Sequence, residues 1–187
     1  MRPMILLFLL AGILTVVLPI APTVSAREFL TEEEIEKIQE AQEIDRRVKI
    51  YLEAAALRLQ EAENRLRGVE SMEGDPLEFF TPEDMLEGYY RILRSVMFNI
   101  DDAIQEPGYD RERLKKALKD LKKKTEDAGR PLEVLKKLAE ENQKEALWNL
   151  VNEAIDITGG AHDGAEFGLA KMKKEDEDRE RARERRR

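Results

Sequence analysis

Residues Val48 to Leu66 read VKIYLEAAALRLQEAENRL. Val48, Leu52, Ala55, Leu59, Ala62 and Leu66 recur in alternating steps of four and three. That spacing lays one apolar seam along a helix and leaves the other faces polar. Upstream, Ile35, Ile38, Ala41 and Ile44 continue a stripe in a shifted register. Thr31 with Glu34 three residues on is a capping box, and Glu32, Glu33, Glu34 and Glu36 crowd the first turns, where the helix dipole favours acids. The pattern predicts one helix from about Glu32 to Arg67, roughly 50 Å long, stopped by Gly68.

Three more helices follow. Gly68 to Phe80 reads as a linker with Gly74-Asp75-Pro76 as its turn. Thr81 and Pro82 then start a helix that carries Met85, Leu86, Tyr89, Ile92, Leu93, Val96, Met97, Ile100 and Ile104 and ends before Pro107-Gly108. Asp110 caps a lysine-rich helix that Gly129 is expected to stop. A last long helix is expected over Pro131 to Ile157, ended by Gly159-Gly160. Ala161 to Lys174 is either a short fifth helix or a glycine-rich turn. Lys171 to Arg187 is almost wholly charged, a frayed helix or a disordered tail. The fold class is therefore all-α. The short connections predict an antiparallel four-helix bundle over 27–170, with a short fifth helix and a charged C-terminal tail over 171–187.

Composition agrees. Charged residues make up 39% of the 187 residues and aromatics 6%, the mix of long helices. There is no cysteine, which excludes disulfides, thiol nucleophiles, covalent haem and Cys-ligated zinc. The net charge of -8 argues against nucleic acid as a general partner, since phosphate contacts need a basic surface.

Residues 1–26 read as a cleaved signal peptide. Arg2 precedes the apolar run Ile5 to Leu18, Pro19 and Pro22 follow, and Val24-Ser25-Ala26 has the small-x-Ala form of a cleavage site. The alternative is an uncleaved anchor, since Met4 to Ala21 reaches the short limit for a span. The expected location is the periplasm or the extracellular space, with no membrane span after cleavage.

No catalytic or cofactor motif stands out, and the protein is read as a non-enzyme without a cofactor. His162, Asp163 and Glu166 are weak candidates for metal ligation, because His162 and Glu166 share a helix face at i,i+4; two ligands fall short of the three or four a stable site needs. Gly160, Gly164 and Gly168, spaced by four, would let another backbone come close, and they are the candidate partner contact. The lysines of the third helix and the terminal arginines read first as solvated faces.

The start Leu30-Thr31-Glu32-Glu33-Glu34 resembles the L-T-x-x-Q helix starts of small periplasmic helical chaperones of envelope-stress responses. Phe80-Thr81-Pro82-Glu83-Asp84 is a second copy. Both depart at the last position, where Glu34 and Asp84 replace the glutamine, and the pattern is a generic cap, so no family is assigned on it. The expected role is an exported, non-enzymatic binding or scaffolding protein that self-associates or holds a protein partner. The alternatives are a periplasmic holdase-like chaperone and a bundle that binds a small ligand or metal.

Overall fold

A computed structural model describes residues 29–185; the signal peptide expected over 1–26 lies outside them. The described residues form five α-helices and no strand: α1 (Glu32–Glu40), α2 (Ile44–Leu66), α3 (Pro82–Gln105), α4 (Arg111–Glu141) and α5 (Glu145–Glu184). The seam read in the sequence faces inward. Val48, Leu52, Ala55, Leu59 and Ala62 are buried, and Leu66 packs at the edge of the same core.

Cross-helix contacts set the packing. Arg47, early in α2, donates to Asn99 Oδ1 late in α3 (3.3 Å), while Arg65, late in α2, donates to the Phe80 carbonyl just before α3 (3.3 Å). These two helices therefore run in opposite directions. The same holds for α4 and α5, where Arg111 meets Glu175 and Thr125 meets His162. By contrast, α2 lies along α4 in the same sense, with Asp45 held by Arg113 and Lys116 near both starts. Tyr89 on α3 meets Thr158 on α5 (2.6 Å), α1 packs on α2, and α2 does not touch α5. Two hairpins are thus laid together so that α2 and α5 are diagonal.

Three boundaries differ from the sequence reading. The expected 32–67 helix breaks at residues 41–43. A straight helix cannot turn two stripes of different register to one core; the break folds α1 back on α2, so that Glu34 reaches Arg58. Arg47 Nε holds the Ala41 carbonyl at the bend (3.2 Å).

Gly129 and Pro131 do not stop the third helix. α4 continues for 31 residues. Pro131 lacks the N–H that would bond the Asp127 carbonyl, yet Leu121, Thr125, Ala128, Leu132, Leu135 and Ala139 stay in register and buried. Burial of that stripe outweighs the local penalty. The helix ends instead at Asn142. Gln143 takes a left-handed φ of 53°, its N–H bonds the Glu140 carbonyl (3.0 Å), and the Lys144 N–H reaches the Ala139 carbonyl (3.1 Å). That is a Schellman closure. α2 ends the same way at Gly68 (φ 76°), with 3.1 and 2.9 Å bonds from Gly68 and Val69. Finally, Gly159 and Gly160 lie inside α5, which runs 40 residues and absorbs both the expected fifth helix and most of the charged tail.

Candidate interaction surface

His162 and Glu166 sit one turn apart on α5, facing α4. His162 Nδ1 lies 3.3 Å from Thr125 Oγ1, and His162 Nε2 lies 3.7 Å from the Glu166 carboxylate. Lys122 of α4 ion-pairs with that same carboxylate. Its hydrogen bond and charge hold the Glu166 carboxyl below the ordinary range. Asp163, one residue round the helix, is exposed and does not join them. The arrangement is a polar tie between two helices. Among the described residues no group of three or more His, Asp or Glu converges as metal ligands.

The three spaced glycines part company. A Cβ on Gly168 would lie 3.1 Å and 3.3 Å from the two methyls of Leu118, so this glycine lets α4 and α5 approach within the molecule. Gly160 and Gly164 are exposed and border open space. Only these two remain available to a partner.

Two buried charge clusters were not read from the sequence. Arg58, only 1% exposed, donates to Glu34 Oε1 (3.0 Å), Glu34 Oε2 (2.6 Å) and the Phe29 carbonyl (3.0 Å). Gly88 on α3 lies against its side chain. An arginine inside an α2 turn gives no signal by periodicity; the clue was a glycine in the middle of the apolar α3. Asp45, 5% exposed, takes Arg113 Nη1 (3.1 Å) and Lys116 Nζ (2.7 Å). Burial pushes its carboxyl up, but hydrogen bonds from Lys116 and Arg113 outweigh this and hold it below the ordinary value. Beside it is a polar cleft of about 330 Å³ lined by Arg47, Asn99, Asp102, Glu106, Tyr109 and Arg113. A second cavity, about 90 Å³ and mostly apolar, lies where Ala55 and Ala56 of α2 face Ala128 and Pro131 of α4. Small side chains opposite the proline leave that space.

The surface offers two further features. Phe98 on α3 and Phe167 on α5 are 71% and 73% exposed, and Met72 in the α2–α3 loop is exposed as well. The second feature is the end of α5. Arg111, the first residue of α4, bonds Met172, Glu175 and Asp176. Among the described residues no other element runs beside α5 past Asp176, and residues 177–185 are exposed. Eight residues from Glu177 to Glu184 project about 12 Å as free helix. No helix among the described residues is long and apolar enough to cross a membrane.

No protein-family model, no curated protein and no solved structure matches this chain.

Proposed function

We propose that the protein is an exported, non-enzymatic binding or scaffolding protein, a four-helix bundle of two antiparallel hairpins in plan, that works through contacts along its outer helix faces. The observation that carries this reading is the projecting end of α5. A helix that outruns its own bundle by two turns, bearing Arg179, Arg181 and Arg183 in water, is surface built for contact with another molecule. Export rests on the leader pattern over residues 1–26. Crosslinking in the native host followed by mass spectrometry tests the reading. A specific partner, or a second copy, should crosslink to the α5 end, and capture should fall when residues 177–187 are removed. Recovery of a lone monomer at every crosslinker concentration would refute it.

A second reading, a holdase-like chaperone, draws on the exposed Met72, Phe98 and Phe167. Apolar side chains held in water on a rigid frame are places for unfolded clients to settle. It predicts suppressed light scattering by an aggregating client at substoichiometric ratios, weakened by Phe98→Ala/Phe167→Ala.

A further inference from the structure

The charge of this molecule is unevenly placed. Residues 179–187 hold six arginines against two glutamates, a net of +4. The whole chain is -8, so the other 178 residues carry -12. Within the arm, Arg181 pairs with its own Glu177 and Asp178 (3.6 and 3.7 Å). Arg179 and Arg183 have no carboxylate within ion-pair distance among the described residues, and being four apart they stand on one face about 6 Å from each other.

The matching surface is on α1. Glu32, Glu36 and Glu40 are exposed, again four apart, and no cation of the described residues pairs with them. Like charges at that spacing repel and weaken the helix that carries them. The arm of the same molecule does not answer them. α1 packs on α2, α2 and α5 are diagonal, and α1 does not touch α5.

We infer that the α5 arm docks on the α1 face of a second copy of this chain, Arg179 and Arg183 pairing with Glu36 and Glu40. The occupant follows from charge complementarity and from equal spacing on the two helices. Such a contact joins two different patches, so it is heterologous, and it adds copies in a row unless the rotation happens to close a ring. Being exposed and ionic, it strengthens at low salt and fades as salt is added. The inference deepens the scaffolding reading and rests on it.

The test uses protein purified from its host and sedimentation velocity. At about 10 mM salt, where the screening length is near 30 Å, the weight-average mass should climb above that of the monomer as concentration rises through hundreds of micromolar; at about 1 M salt it should return to the monomer. Arg179→Glu/Arg183→Glu makes both patches acidic, and Glu36→Lys/Glu40→Lys makes both basic, so each variant alone should stay monomeric. An equal mixture of the two should associate again, because each then offers what the other lacks. Circular dichroism confirms that the exposed substitutions leave the helices intact. A wild-type monomer at low salt, or a mixture that does not associate, overturns the inference. So does a monomer whose arm instead binds phosphatidylglycerol vesicles, which would assign the arm to an anionic membrane. Loss of self-association with a crosslinked foreign partner still captured would leave the scaffolding reading standing.

Discussion

Arg58 carries the join between α1 and the rest of the molecule. Its guanidinium spans both Glu34 oxygens and the Phe29 carbonyl, while the same Glu34 closes the capping box by accepting the Thr31 N–H at 2.7 Å. One carboxylate therefore starts α1 and fastens it. Asp45 is the acid-sensitive counterpart at the other end of α2. Folding favours its ionised form, so its stabilisation is complete above the ordinary carboxyl value of 3.8 and is lost as pH falls below that through the lowered folded value. Asp45→Asn should cost about 1–2 kcal/mol at pH 7, and urea melts of the variant should fall less steeply than wild type below about pH 4. Gln143 has the opposite sign. An L side chain in the left-handed region is strained, so Gln143→Gly should raise stability by about 0.5–1 kcal/mol, read as a higher melting temperature.

The helices themselves show what local sequence can and cannot convey. The seam from Val48 to Leu66 and the start at Thr81-Pro82 were legible, because an apolar stripe and a cap are written in adjacent residues. The ends of α4 and α5 were not. Gly129, Pro131, Gly159 and Gly160 are stop signals by propensity, yet each lies inside a helix whose buried stripe continues past it. The true stop carries glutamine where glycine is usual. The polar ties were hidden for another reason: Thr125 with His162 and Arg58 with Glu34 depend on which helices become neighbours. Glycines within α5 differ accordingly. Gly164→Ala adds a methyl to open space and should stabilise by about 0.5–1 kcal/mol. Gly168→Ala must push the Leu118 methyls aside and should gain nothing or lose up to about 2 kcal/mol, as chemical denaturation would record. If Gly164 did not stabilise on substitution, the helix at that turn would not be as open as described.

At the scale of the whole molecule the projecting arm and the packed body are separable. Residues 177–185 make ion pairs only within their own helix among the described residues. Removing 177–187 should therefore change unfolding free energy by no more than about 0.5 kcal/mol, with the helical signal falling only by the residues lost. A large drop in melting temperature would place the arm in the body's own packing and would end its assignment as a docking element.

The pairing of helices has a consequence for assembly of the native state. α2 with α3, and α4 with α5, are each built from sequence neighbours, while contacts between the halves wait for both to exist. Nearby segments close cheaply and meet first. The turn at Glu106-Pro107-Gly108-Tyr109, closed by one 3.3 Å bond, is the single covalent tie between the halves. A protease nick there would yield two fragments, each a hairpin with half of a greasy interface, that recognise one another and rebuild the original from separate polypeptides.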